Sequence, residues 1–413
     1  MLDKSSLAFT VLLSSLVALP PLSIDLGLPA FAATAADLGT GEPAVALTLS
    51  WFMLGFAAGP LVYGPVSDRF GRKPVMLAGL SLYALTSVLC AAAPTIGVLL
   101  AARLFQGLAA AAGTVLVIAA IRDLFDGIAA RKKISWVMAI NAIMPLTAPT
   151  IGVYTLAFGG WRAGYALMAV FGAALLAAVT LGFRESIVQR NRDALAPRQL
   201  VAGYREVLTH PVSLKASLLN AACFGVLFAY ISGSSIVFIG FMGLSAAAYG
   251  YVFAVPVTGA IGGTLLNGAL LGRGVAPVTL VRAGLALMTG AATLLVVALA
   301  GPLAGRLVPI VALLFVSAFS VGLVGPNVSY AAMRDLPHRA GVASAVLTSA
   351  QMVVGALSSA IVAALFDTLG ASAMAAVMVG FAAVAVGLHL ATPAPPPPAP
   401  PAGPAPAERP GEA

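Results

Sequence analysis

Twelve apolar runs, separated by short stretches that hold nearly all the charge, constrain this chain more than any other feature. They fall at 8–30, 44–66, 75–94, 95–121, 134–158 and 161–183, then at 214–240, 246–271, 277–300, 305–330, 339–366 and 371–391, and are numbered spans 1 to 12. One helical crossing of a bilayer takes about 20 apolar residues, so each run is long enough to span. Composition agrees: 60% of the 413 residues are hydrophobic and 9% are charged, where a soluble domain carries about a quarter charged residues. A soluble enzyme and a disordered chain are both excluded. The run after Lys4 is read as span 1 and not as a signal peptide, because it continues to Pro29 without a small-residue cleavage site.

The predicted organisation is therefore an all-α membrane protein in two six-helix bundles. Residues 1–183 form the first bundle, 184–213 a linker and 214–391 the second bundle. A Pro- and Ala-rich tail at 392–413 is too poor in apolar bulk to pack. Of the 22 lysines and arginines, all but Arg103, Arg162 and Arg306 fall on the side that holds the termini and the linker. That bias predicts cytoplasmic termini and explains the net charge of +8 without a nucleic-acid partner. Cys90, Cys223 and the scattered His210, His338 and His389 suggest neither disulfides nor a metal site. Without clustered catalytic groups or intramembrane charge rings, a membrane enzyme or an ion channel is disfavoured.

The halves echo each other. Ala119-Ala-Ile-Arg-Asp-Leu124 closes span 4, and Ala331-Ala-Met-Arg-Asp-Leu336 closes span 10, half a chain further on. The stretch from Gly64 to Leu77 after span 2 has a degraded copy from Gly268 to Leu280 after span 8, which has lost its acid. Parallel six-helix repeats with a site between them are the architecture of the major facilitator fold.

The pattern Gly64-x-x-x-Asp68-Arg69-x-Gly71-Arg72-Lys73 closely resembles the signature loop of the major facilitator superfamily. Gly64 is expected to allow close helix approach and Gly71 a tight turn, with Asp68 pairing with cations while facing the positive end of a helix. The resemblance implies a latch between the halves on the cytoplasmic side, built from Asp68, Arg72 and Asp123. Further stretches carry the resemblance to one subgroup. Ser23-Ile-Asp25-Leu-Gly-Leu-Pro29, Arg103-Leu-Phe-Gln106-Gly107, Ala148-Pro149-Thr-Ile-Gly152, Gly325-Pro326-Asn327 and Ala340-Gly341-Val-Ala343-Ser344-Ala345 look like Bcr/CflA-type drug:proton antiporters. That family implies proton-driven efflux of phenicol-, bicyclomycin- or sulfonamide-like drugs from the bacterial inner membrane. No cofactor is expected, and the protein is expected to be a monomer. The alternative within the fold is a proton-coupled exporter of a sugar or amino acid, which would need a more polar cavity.

Asp25 is the one acid well inside a span, and an intramembrane carboxylate is expensive enough to suggest function. Alternating burial and pairing change its affinity for a proton, which is what an antiporter needs. Pro20, Pro21 and Pro29 around it break the backbone ladder, leaving polar groups to line a cavity. Arg103 lies about 12 Å into span 4 and Asp25 about 8 Å into span 1, depths at which the two could pair directly or through water. The resemblance associates Arg103 and Gln106 with proton transfer. In span 5 it makes Asn141, Pro145, Pro149 and Gly152 the antiporter motif that seals the halves. Trp51, Phe56, Asn220, Tyr230, Asn327 and Gln351 are candidate lining for an apolar drug cavity with a few polar groups.

Overall fold

The computed structural model describes residues 3–187 and 189–391, so the tail at 392–413 lies outside the described residues. Among those described, ten helices are long and apolar enough to cross a membrane, and a bent pair, Leu7–Val17 with Leu19–Asp37 turned by 45°, adds one span. One of the ten, Gly127–Gly182, holds two crossings, because Gly159 (φ −154°) and Gly160 (φ +68°) leave the helical region. Twelve crossings result, as the apolar runs predict. Span 1 bends where its prolines require it. Pro20 and Pro21 lie in the first turn of Leu19–Asp25, and Pro29 sits in a 3-10 turn, Leu28–Ala30.

The other boundaries shift by a few residues. Spans 2, 3 and 4 are Glu42–Phe70, Arg72–Ala91 and Ile96–Leu124. Span 7 is Pro211–Ser235, closed by a π turn at Ile236–Phe241. Spans 8 to 12 are Ala246–Gly272, Pro277–Ala300, Leu307–Arg334, Ala340–Leu369 and Ser372–Leu390. Because span 2 runs on to Phe70, the signature loop shrinks to Gly71 alone. Asp68 therefore occupies the last turn of span 2, at the negative end of that helix and not facing a positive one.

Close helix approach repeats from one half to the other. A methyl group on Gly55 of span 2 would overlap the Leu104 carbonyl of span 4, and one on Gly107 would overlap that of Phe52. The same reciprocal pair joins spans 8 and 10, with Gly263 against Phe319 and Gly322 against Ala260. Without a hydrophobic drive between helices in lipid, such backbone contact is what holds the bundle together. Gly64 does not contribute, since a methyl there would meet nothing within 4 Å. The close approach expected of it belongs to Gly55, nine residues earlier.

Contacts at several points join the halves. Ser235 Oγ donates to the Leu28 carbonyl (2.7 Å) from span 7 to the bend of span 1. Gly250 of span 8 rests on Thr150 of span 5, and Ser349 Oγ of span 11 donates to Ala57 O of span 2 (2.7 Å). The linker takes part as well. It contains an amphipathic helix, Pro197–Thr209, whose Tyr204 hydroxyl donates to Leu61 O of span 2 (2.7 Å). Its Val207 is buried with Leu336, Ala343 and Val346 of the second half, and Glu206 bonds His338 (2.7 Å) and Arg339 (3.0 Å).

Candidate functional site

The first half encloses a buried arginine. Arg103 is 1% exposed, and its three kinds of nitrogen all donate: Nε to Thr48 O (3.3 Å), one terminal nitrogen to Gln106 Oε1 (2.7 Å) and the other to Ser23 O (3.0 Å). Its guanidinium also lies 4.4 Å from the centroid of Phe52. Gln106 continues the network by donating to Ser87 Oγ (2.7 Å), and Ser23 Oγ meets the Tyr83 hydroxyl at 2.6 Å. Spans 1, 2, 3 and 4 therefore share one polar centre. Two of the three acceptors on Arg103 are backbone carbonyls and none is a carboxylate, so the charge is satisfied by dipoles.

Asp25 sits apart from this centre. It is 2% exposed at the end of Leu19–Asp25, and no hydrogen bond or ion pair among the described residues joins it to Arg103. Compatible depths did not bring the two together, because depth fixes height along a helix and not the direction a side chain takes. The Asp25 Oδ1 atom is buried without a hydrogen-bond partner. The carboxyl instead lies within electrostatic reach of Tyr230 and Tyr249 in the second half. Those hydroxyls are otherwise engaged, Tyr230 donating to Phe253 O (2.9 Å) and Tyr249 meeting Ser234 Oγ (2.9 Å).

Span 5 packs directly beside this carboxyl. A methyl group on Gly152 would overlap the carbonyl of Leu26, the residue after Asp25. Pro149 is buried next to it, and Pro145 lies inside the helix. Asn141, one turn before Pro145, keeps its Oδ1 buried and unpartnered.

The predicted latch residues do assemble. Arg72 bonds Asp68 (2.6 Å), Asp123 (3.0 Å) and Ser67 Oγ (2.6 Å), all in the first half, while Arg69 lies over the Phe70 ring. Sequence reasoning missed the third layer. Glu185 accepts from the backbone N–H of Arg72 (2.9 Å) and Lys73 (3.3 Å), which caps the positive end of span 3. Ser186 donates to Asp123 (3.1 Å), and Asn191 N donates to Asp68 O (3.0 Å). Gly71 (φ +103°) sits in a backbone conformation that favours glycine, and a methyl there would also press on the Glu185 carboxylate and require it to shift. Among the described residues, the ion pairs that tie the linker to the second half are those of Glu206.

The six cavity candidates separate. Trp51 shares an exposed stripe with Leu54, Ala58 and Val62 at helical spacing, the face of span 2 turned to the bilayer. Phe56 and Tyr230 are buried in the core, and Asn327 bonds Asn267 (2.6 Å) between spans 10 and 8. None of these four lines an open cavity here. Asn220 and Gln351 do meet, at 3.0 Å, where spans 7 and 11 approach. Trp161 is 6% exposed and donates to Asp37 (3.1 Å).

A family model described as Major Facilitator Superfamily matches residues 8–359. The "Bicyclomycin resistance protein homolog" of Haemophilus influenzae is 31% identical over 375 residues, covering 88% of this chain and 90% of that protein. The "Multidrug resistance protein MdtL" of Escherichia fergusonii is 30% identical over 247 residues, covering 60% of this chain and 62% of its own length. Among solved structures, a bacterial homolog to the human lysosomal transporter Spinster, in an inward-facing and occupied conformation, superposes with a TM-score of 0.72. It shares 15% identity, over 92% of this chain and 95% of that one.

Proposed function

The chain belongs to the major facilitator superfamily, as a transporter and not an enzyme, and on that premise we propose that it exports small lipophilic drugs in exchange for protons. The observation that carries this reading is the Asp25 carboxyl, sealed at the interface of the halves with one oxygen free of any hydrogen bond. An ionised group has no donor there, and a bound proton removes the charge that would need one. Arg103 is not joined to that proton site, since each of its three nitrogens donates to a carbonyl or to Gln106 instead. In the proposed cycle a proton enters at Asp25 from outside, the halves rock about the central site, and the proton leaves to the cytoplasm as drug is taken outward. The Gly152 contact on Leu26 supports span 5 as the element that feels the state of Asp25.

The basic side, which carries the linker, is cytoplasmic in this reading, and the protein works as a monomer in the bacterial inner membrane without a cofactor. Each proton moving inward down 100 mV releases about 2.3 kcal/mol, enough for roughly fifty-fold accumulation at one-to-one exchange. The name of one relative favours bicyclomycin-like compounds as substrates, and phenicol- and sulfonamide-like compounds follow from the sequence resemblance.

The test is substrate-evoked proton movement in energised everted membrane vesicles, with wild type beside Asp25→Asn at equal expression. Drug should collapse the pH gradient in wild type, while Asp25→Asn should lose the response by about 100-fold or more, the scale of removing an essential proton carrier. An equal response from the variant would place the proton site elsewhere.

A further inference from the structure

The two halves offer a transported molecule different chemistry. From Ala216 to Gly272, from Leu307 to Met333 and from Ala340 to Phe366, the second half holds no charged residue. Its interior polar groups are neutral, and three of them form a cluster. Asn220 Nδ2 donates to Ser329 Oγ (2.6 Å), and Asn220 Oδ1 accepts from Gln351 Nε2 (3.0 Å), which joins spans 7, 10 and 11.

The cluster faces inward. On span 7, Asn220 lies on the opposite side from Gly225 and Gly233, which pack on Phe381 and Met374 of span 12. On span 11, Gln351 shares a stripe with Ser344 and Thr348, turned away from the exposed Val353 and Leu357. Asn220 itself is 4% exposed, while Ser329 and Gln351 are half-buried, so the cluster can be reached from one side. Its internal bonds leave the Gln351 carbonyl and the Ser329 hydroxyl proton uncommitted among the described residues.

Resting on the export reading, we infer that Asn220, Ser329 and Gln351 are the polar anchor of the drug site and that this anchor selects neutral amphiphiles bearing amide or hydroxyl groups over lipophilic cations. A neutral amide or hydroxyl satisfies the free acceptor and donor on arrival. A cation would shed water there against dipoles alone, without the counter-charge that buried ions need. The interior carboxylate that could supply one, Asp25, is the proton site of the export cycle. The amide on the other face of span 10, Asn327, is already spent on Asn267 and takes no part.

The experiment uses purified full-length protein in detergent, with equilibrium binding of chloramphenicol and bicyclomycin, both neutral, and of tetraphenylphosphonium, a permanent cation. Wild type should bind at least one neutral compound and bind the cation weakly. Gln351→Leu should weaken neutral binding roughly three- to tenfold, the worth of one hydrogen bond. Gln351→Glu should bring in tetraphenylphosphonium, and Asn327→Leu should leave neutral binding unchanged. Tighter binding of the cation by wild type, neutral binding indifferent to Gln351→Leu, or no binding of any of the three probes overturns the inference. Proton movement in vesicles separates it from the export reading. Drug-evoked movement that survives Gln351→Leu at the same drug affinity removes the anchor and keeps export. Neutral binding that depends on Gln351 without any proton movement removes proton-coupled export and keeps the anchor.

Discussion

The two halves share a backbone plan and differ in what fills it. Spans 2 and 4 approach through Gly55 and Gly107 as spans 8 and 10 do through Gly263 and Gly322. Yet the interior of the first half holds Arg103, Gln106 and Asp25, whereas the buried polar groups of the second, among the described residues, are hydroxyls, amides and the thiol of Cys223. The connection after span 2 gathers Arg72, Asp68, Asp123 and Glu185, whereas the one after span 8 keeps an exposed Arg273 with no acid beside it. A repeated scaffold frees one copy from the chemistry of the other. Packing is the duplicated requirement, while the buried arginine and the buried carboxylate among the described residues both belong to the first half.

The largest test of that division compares Arg103→Met with Asn327→Leu. Losing Arg103 takes a donor from each of Ser23 O, Thr48 O and Gln106 Oε1, of which Thr48 O keeps its helical hydrogen bond. Each orphaned acceptor costs about 1–3 kcal/mol, so a net loss of about 3 kcal/mol or more is expected, even after the relief of desolvating a charge. Asn327→Leu breaks one amide pair and should cost about 1 kcal/mol. Thermal unfolding of the two purified variants reads both. Equal losses would mean that the polar centre of the first half is no more structural than the amides of the second.

A smaller contrast lies in the two connections. Arg72→Ala removes charge-assisted bonds to two carboxylates from a side chain that is 9% exposed, and about 1–3 kcal/mol should go with them. Arg273→Ala should stay within about 0.5 kcal/mol of wild type, as exposed substitutions do. A matched loss at Arg273 would show that the degraded connection still carries a latch.

Residue letters disclosed this contrast unevenly. Apolar runs set the twelve crossings, the prolines around Asp25 set the bend of span 1, and Asp68, Arg72 and Asp123 meet within the first half, without the bond to the second half that a latch would need. The partners of Arg103 were hidden, because the carbonyls of Ser23 and Thr48 belong to every residue alike and leave no mark in a sequence. Glu185 was hidden by distance along the chain, reaching Arg72 from the far end of span 6. One signal could have found it: an acid just after a helix end, opposite a helix start that has no capping side chain of its own. Trp51 misled because an aromatic side chain suits a drug cavity and a lipid face equally well, and only packing decides between them.

The smallest expected effect belongs to the element that joins the two halves. Hydrogen bonds from His338 first and Arg339 second hold the Glu206 carboxyl below its usual value of 4.5. A carboxyl held down stabilises the fold while it is ionised. Its contribution is therefore complete above 4.5 and fades as the pH falls through the lowered value. Every side chain of this clamp is more than a third exposed, so the contribution is small beside that of Val207, which is fully buried under the same helix. Glu206→Gln should melt nearly in parallel with wild type above pH 4.5 and lose less stability below it, because the variant has no proton to take up there. Calorimetry across that range distinguishes two ways of holding unlike halves together. If the variant keeps the full acid sensitivity of wild type, the charged pairs add nothing to the join, and the linker couples the halves through Val207 and Tyr204 alone. If the sensitivity shrinks, the linker also carries a charge contact outward from the basic face of the first half. The second half would then receive that contact at its rim, through His338 and Arg339.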